Sequence, residues 1–343
     1  MAVLGQSAVT YMDLAKRFDA SGQVEKVIIE IMNQFNRILD DMLVLEGNLA
    51  TGHKTTVRTG LPGVTWRMLN YGVQPSKSST SQVTDTCGML EAYAEVDKSL
   101  ADLNGNTAAW RLSEEKAFIE AMNQQMAYTL FYGDTTLNPE RFLGLAPRYG
   151  TLTGAQSCTN VISAGGTTNL TSVYLVVWGD TTVHGIFPKG SKGGISQEDK
   201  GQQTLLDSNT PMGRYEGYRS HYKWDLGLTV RDWRYVVRIC NIDTVALATA
   251  GDSSDTSPNL IKLMVKAINL IFNINNGRPA FYMNLLVKTY LEVKLMNAKN
   301  LFLQMRELTG TDMAGASGGI VTTFLGIPIR RVDQIVNSET QVV

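Results

Sequence analysis

The sequence predicts a mixed α+β fold, and three observations carry that prediction. Apolar residues recur at spacings of three and four over 23–45 and again over 113–132, the period of a helix with one buried face. Between and after these stretches the period drops to two, as in half-buried strands. Gly, Pro, Asn and Asp gather between the periodic segments, where turns belong.

Bulk composition narrows the function classes. The chain has 343 residues, of which 43% are hydrophobic and 18% charged. Average soluble proteins carry roughly 25% charged residues, so much of this surface is expected to meet protein. Formal net charge is −1 and the pI about 6.3. A dedicated nucleic-acid binder is usually basic, because it neutralises phosphates. Cys87, Cys158 and Cys240 are odd in number and scattered, which argues against a disulfide framework and for a reducing site of synthesis. The N-terminus lacks the basic-then-apolar pattern of a signal peptide. No apolar run reaches the ~18 residues of a membrane span.

Taken in order, Val24, Ile28, Ile31, Phe35, Ile38, Met42 and Leu45 form one stripe, so a helix is expected over 23–45. Such a stripe suits a helix on its own core or an N-terminal arm docked on a neighbouring subunit. Residues 48–100 read as a long two-stranded ribbon. In its first strand Val64, Trp66 and Met68 alternate with Thr65 and Arg67. In its second, Leu90, Ala92, Ala94 and Val96 alternate with Glu91, Tyr93, Glu95 and Asp97. A ribbon with one apolar face is marginal alone in water and needs another surface; a neighbouring subunit explains its length.

A helix follows over 113–132, with Ser113 as N-cap, Glu114 and Glu115 in its first turn, and Phe118, Met122, Met126 and Leu130 at i+4 steps. Gly133 is expected to end it. Strands are then expected at 172–180 and, unbroken, at 226–243, with a Gly/Lys-rich loop between them over 179–220. A helix after Pro258, a strand "AFYMN" leading into another helix, and a strand pair in "GGIVTTFLGIPIRRVDQIV" complete the reading.

Catalytic constellations fail one by one. "GIFPKGSK" has Gly190, Ser191 and Lys192 in the wrong order for a phosphate-binding loop, and Pro188 removes a cradle N–H. Gly251-Asp252-Ser253 looks like a serine-hydrolase turn, yet His53, His184 and His221 all precede Ser253, whereas such hydrolases place the base late. The His and Cys residues never fall at metal-ligand spacings. No catalytic residue, cofactor or metal is therefore assigned. Arg231, Arg234 and Arg238, with Arg330 and Arg331, are the densest basic sites on expected strands. With net charge near zero they favour inter-subunit ion pairs over phosphate contacts.

The order of these parts resembles the major capsid proteins of tailed bacteriophages with the HK97-type fold. A helical arm, an extended β-ribbon (the E-loop) and a spine helix follow one another. The exit through Gly133-Asp134 and "NPERFLGL", with Pro139 and Gly144, resembles the family's Gly-Asp turn and its Pro-x-Gly close. "AFYMN" resembles its "a-W-v-M-N" strand. "FLGIPIRRVDQI", with Gly326 and Pro328, resembles its Gly-x-Pro strand. That strand comes after the long strand rather than before it, an order similar to the rearranged topology of the epsilon15 and Bordetella short-tailed phages.

The resemblance implies a structural protein that self-assembles as hexamers and pentamers into an icosahedral head around double-stranded DNA. It implies a virion location, with synthesis in the bacterial cytoplasm and no membrane association. It also implies an N-terminal arm over 1–48, the E-loop over 49–101, the spine helix and P-domain over 102–250, and an A-domain with returning strands over 251–343. Val24, Ile28, Ile31, Phe35, Trp66, Met68, Tyr71, Lys77, Arg231, Arg234 and Arg238 are the candidate inter-subunit contacts. Gly133, Asp134, Pro139, Gly144, Gly326 and Pro328 are the candidate fold-defining turn residues. A decoration or cement protein, a portal and a separate scaffolding protein are the implied partners, with DNA touched non-specifically at the inner surface. Some relatives cross-link a Lys to an Asn; nothing marks Lys54 or Lys77 as reactive, so a non-covalent lattice is expected. The rival readings are a cytosolic serine hydrolase using Ser253 and a decoration or tail protein.

Overall fold

The structure is a computed structural model that describes residues 34–102, 107–154, 156–206, 213–249, 259–297, 303–307 and 320–343. Its strands, in chain order, begin with β1 (Val44–Glu46), β2 (Gly52–Gly60), β3 (Ser79–Asp97), β4 (Val161–Ser163), β5 (Leu170–Trp178), β6 (Val183–Phe187) and β7 (Ile195–Leu206). They continue with β8 (Arg214–Val230), β9 (Val236–Asp243), β10 (Arg278–Met283), β11 (Leu303–Glu307), β12 (Ile320–Phe324) and β13 (Ile327–Arg331). The longer helices are α1 (Thr107–Tyr132), α2 (Leu260–Leu270) and α3 (Leu285–Asn297).

Two compact units share these elements, and β3, α1 and β8 each contribute to both. The larger holds Phe35–Gly88, Ala127–Ser191 and Leu226–Val343. Its centre is β5, a mostly apolar strand buried along its whole length. β10 pairs antiparallel with one part of β5, and β9 pairs antiparallel along its other edge. β13 lies parallel to β10, and β6 continues in parallel from Trp178 of β5. A run rich in apolar and β-branched residues suits a strand covered on both faces, and the buried Ser172 hydroxyl in it donates to Glu339 and accepts from Arg238. Phe131, Tyr174, Trp178 and Tyr282 meet there at tilted and edge-to-face angles. The indole of Trp178 donates to the Tyr282 hydroxyl (2.7 Å), while the Tyr174 hydroxyl is buried without a hydrogen-bond partner.

In the smaller unit, Met89–Met126 and Lys192–Asp225 pack together. Ala94, Met122 and Tyr222 form its core, flanked by Leu90, Ala92, Phe118 and Trp224. The alternation expected on the second ribbon strand is thus real, and its apolar face covers α1. Arg111 of α1 donates to Asp199 (2.6 Å) and to Ser220 (3.1 Å), tying the helix to β7 and β8.

Several expectations need correction. The expected helix over 23–45 does not reach Leu45. Helical turns stop at Asp41, Met42 is extended, and Val44–Glu46 pairs in parallel with β6. The stripe misleads because Ile38 and Met42 are buried in both arrangements, and pairing with β6 decides between them. Residues 23–33, with Val24, Ile28 and Ile31, lie outside the described residues, as does Ser253. No strand forms at Val64, Trp66 and Met68; the ribbon pairs Gly52–Gly60 with Ser79–Thr86 instead. Alternation alone cannot make a strand without a partner for its backbone.

Ser113 does not cap α1, which starts at Thr107, six residues earlier. At 26 residues α1 is roughly 39 Å long, from 1.5 Å per residue. The expected strand 226–243 is two strands. Asp232 accepts from the Arg234 N–H (3.0 Å) in a short 3-10 turn that separates β8 from β9. A local side-chain acceptor here outcompetes the ladder. The expected loop 179–220 carries β6, β7 and the start of β8. β7 is polar and exposed on both faces over most of its length, which erases its period-two signal.

The strand pair near the C-terminus is as expected: β12 and β13 join through Leu325 (φ 49°) and Gly326 (φ 84°). Both central residues have positive φ, the geometry that matches the twist of a hairpin. Pro328 opposes Thr323 near the start of β13.

Candidate assembly surfaces

The exit from α1 is built by close backbone approach. Gly133 donates to the Thr129 carbonyl (2.8 Å), and Gly144 donates back to the Gly133 carbonyl (2.8 Å). A Cβ on Gly133 would collide with the Phe142 carbonyl and lie 2.6 Å from the Thr129 carbonyl; one on Gly144 would lie 2.7 Å from the same Thr129 oxygen. Neither residue has positive φ, so glycine is needed here for space rather than for a left-handed turn. Asp134 accepts from the Thr136 N–H (2.8 Å) and hydroxyl (2.6 Å), which hold its carboxyl below the usual range. Asn138 and Pro139 carry the chain round, with the Asn138 N–H on the Asp134 carbonyl. Phe142 and Leu145 are buried, and Leu143 is half-buried.

The ribbon ends in an exposed apolar tip. Residues 61–77 are all exposed. Val64 is 91% exposed, Trp66 104% and Met68 68%; Leu61, Leu69 and Tyr71 are also largely bare. The Ser76 hydroxyl donates to the Gly63 carbonyl (2.7 Å), Tyr71 N–H to the Met68 carbonyl (3.2 Å), and Thr59 and Ser79 hydroxyls meet at its neck (3.1 Å). Isolated exposed apolar residues are ordinary, but a contiguous apolar segment marks a contact site. Lys77 is exposed beside it. Phe35, 56% exposed, lies elsewhere in the same unit beneath the Arg331 guanidinium.

The arginines expected on strands are committed within the chain, and Arg231 and Arg234 lie in the connection between β8 and β9 rather than on a strand. Arg238 is buried and pairs with Glu339 (2.9 Å) while donating to Ser172 and to the Ala146 and Tyr149 carbonyls. Its expected inter-subunit role is therefore incorrect: its charge is neutralised in the core. Arg234 forks onto Asp232 and stacks over Phe272. Arg231 donates to the Asp180 carbonyl and to His53. Arg330 meets Asp41 (3.1 Å), and Arg331 meets Asp333 (2.6 Å).

Sequence reasoning missed the acceptors. Glu339 also accepts from Ser172 and from the Tyr132 hydroxyl, binding the C-terminal segment to α1 and β5. Asp85, buried in β3, accepts from Arg148 (2.7 Å) and Thr229 (2.7 Å). No local pattern flags such pairs, because their partners lie 63 to 207 residues away. Among the described residues, no group of three or more His, Cys, Asp or Glu could hold a metal ion, and no helix is long and apolar enough to cross a membrane.

A search of the curated proteins returns no match. A family model described as "Major capsid protein GP7" matches residues 19–343. Among solved structures, the chain is similar to that of bacteriophage Epsilon15. Identity is 35%, the TM-score is 0.76, and the match covers 100% of this chain and 99% of that one. The holo-SrpI encapsulin of Synechococcus elongatus matches at 10% identity and TM-score 0.45, over 71% of this chain and 98% of that one. The capsid of Myoviridae phage XM1 matches at 10% and 0.44, over 69% and 99%. The ribbon, the long helix with its glycine-locked exit and the Gly-Ile-Pro hairpin thus sit in an HK97-like capsid fold, and the chain belongs to the GP7 family of phage major capsid proteins.

Proposed function

We propose that the chain assembles with copies of itself, as hexamers and pentamers, into the icosahedral head of a phage that encloses double-stranded DNA. The ribbon tip is one of the surfaces that joins those copies, and the role is structural, without catalysis. The observation that carries this reading is the bare tip around Val64, Trp66 and Met68. Burying a large apolar side chain contributes roughly 1.5–3 kcal/mol, so three such residues on each copy supply enough to hold neighbours when repeated over a lattice.

The internally paired arginines support the same reading, since they leave apolar contact rather than exposed ion pairs to do the joining. Residues 1–48 act as the arm, 49–101 as the E-loop, 102–250 as spine and P-domain, and 251–343 as A-domain with the returning strands. The lattice is non-covalent; a ladder of covalent oligomers after boiling in SDS would contradict that.

The test is gel filtration with negative-stain microscopy of the wild type and of Trp66→Ser/Met68→Ser. Wild type is expected as shells or large capsomers. The variant is expected as smaller particles with unchanged circular dichroism and Tm, because the tip contributes nothing to the subunit core. A wild type that stays monomeric at all concentrations, or a variant that assembles like wild type, would overturn the proposal.

A further inference from the structure

At the root of the ribbon, three groups able to carry positive charge meet within the larger unit. His53 lies in β2, His184 in β6, and Arg231 in the connection from β8 to β9. The two imidazoles are 5.8 Å apart at 79°. The Arg231 guanidinium sits 3.1 Å from His53 Nε2. A guanidinium can only donate, so His53 Nε2 must accept, and the ring is neutral with its proton on Nδ1. Both histidines are buried. His53 Nδ1, His184 Nδ1 and Arg231 Nε are buried without a protein partner.

Among the described residues, Asp85 and Asp180 are the carboxylates that act on these histidines, and neither forms an ion pair with one. Asp85, the register partner of His53, already gives one oxygen to Arg148 and the other to Thr229. Asp180, in the turn between β5 and β6, acts on His184 only from a distance, and its carbonyl takes Arg231. The root itself is tight: a Cβ on Gly52 would collide with the Asp85 carbonyl, and one on Gly227 would lie 2.7 Å from the Thr86 carbonyl.

We propose that this cluster is an acid-operated latch: protonating His53 and His184 sets cation against cation beside Arg231 and frees the ribbon, β2 with residues 79–88, from its contact with β6 and from β8, its neighbour in the sheet. The core strands β5 and β9 stay closed. Burial first, then Arg231, lowers the pKa of His53; the same two causes, followed by His53, lower that of His184 to about 4. A depressed histidine binds protons more readily once released. The latch therefore holds above about pH 6.5, the ordinary histidine value, and weakens as pH falls toward 4. Each proton taken up raises the opening equilibrium by up to ~10-fold per pH unit below the ordinary histidine value, for His184 down to about pH 4.

The test is amide hydrogen exchange by mass spectrometry on the full-length protein in its native oligomeric state, from pH 7.5 to 4.5, corrected for intrinsic rates. Protection over 52–60 and 79–88 is expected to fall at least tenfold between pH 6.5 and 5.0, while β5 and β9 hold. Constant ribbon protection, or a parallel fall in β5 and β9, would overturn the latch. Exchange at the histidine C2 positions, measured on the same wild type, should place His53 and His184 below pH 6.5 and in step with opening. Opening that instead tracks His221, with His53 and His184 still neutral, would also overturn it. The double variant His53→Gln/His184→Gln should lose the acid step, and persistence of that step counts against the proposal. If the variant fails to fold, the two wild-type measurements decide. The latch does not depend on what the ribbon tip touches.

Discussion

Glu339 is the best single place to test how the subunit is held together. Its side chain is 4% exposed, and that of its partner Arg238 5%. Glu339→Ala removes the ion pair but leaves Arg238 with Ser172, two carbonyls and the Tyr174 ring. Removing one partner of a buried pair costs ~3–5 kcal/mol. Arg238 keeps several acceptors, which pulls the cost down. The Tyr132 hydroxyl loses its acceptor, which adds back ~1–3 kcal/mol. The net expectation is about 4 kcal/mol. With an m-value of about 3 kcal/mol/M, the urea midpoint of the unassembled protein falls by roughly 1.3 M. The control is Arg238→Met/Glu339→Leu, which replaces the pair with apolar bulk and should recover about half or more of that loss. A midpoint shift under ~0.3 M for Glu339→Ala, or a double variant equal to the sum of the singles, would refute the view that this pair closes the C-terminal segment onto the core.

Gly133→Ala should destabilise by ~1–3 kcal/mol through overpacking against the Phe142 and Thr129 carbonyls, read as a lowered urea midpoint with helix content retained. Gly326→Ala meets open space, so its cost should be the ~1–2 kcal/mol of a left-handed backbone, no more than about half of the effect at Glu339. Asp85→Asn should cost ~3 kcal/mol, because Arg148 keeps only carbonyl acceptors, and the loss should appear in the same denaturation assay. Subunit stability should fall as pH drops from about 6.5 toward 4, since the unfolded chain takes up the proton that buried His184 refuses. His184→Gln should flatten that slope in a pH series of thermal melts.

Much of the architecture is legible because local chemistry and global position agree. β5 is mostly apolar and buried throughout; α2 carries one apolar face and an Asn259 cap. The "LGIP" turn announces its hairpin through Gly326. Legibility fails where partners are remote. β1 reads as helix because its burial stripe fits either period, and only β6, some 140 residues on, makes it a strand. β7 reads as loop because it is polar on both sides. The candidate contacts divide the same way. Trp66 and Met68 are visible as apolar residues in a polar stretch, and they prove bare even though their strand does not exist. Arg238 looks like a surface charge because Glu339 lies 101 residues away.

Arg238 is one of several arginines whose charge is answered inside the subunit. A subunit that folds alone and stays alone spends its charges at the surface, where water solvates them. Here Arg148, Arg238 and Arg330 face buried carboxylates, and each pair spans 63 residues or more of chain. Such pairs contribute little net stability compared with apolar packing. They do fix which segments may lie together, because a misplaced partner leaves a charge buried and unanswered. The ribbon follows the opposite rule, with polar residues along its strands and apolar ones at its end. A subunit with its segments pinned by internal charge pairs, and with bare apolar residues at its ribbon tip, can join copies without the joints deciding the fold. Disrupting the tip should then abolish assembly and leave the subunit intact, while disrupting Glu339 should unfold the subunit and abolish assembly as a consequence.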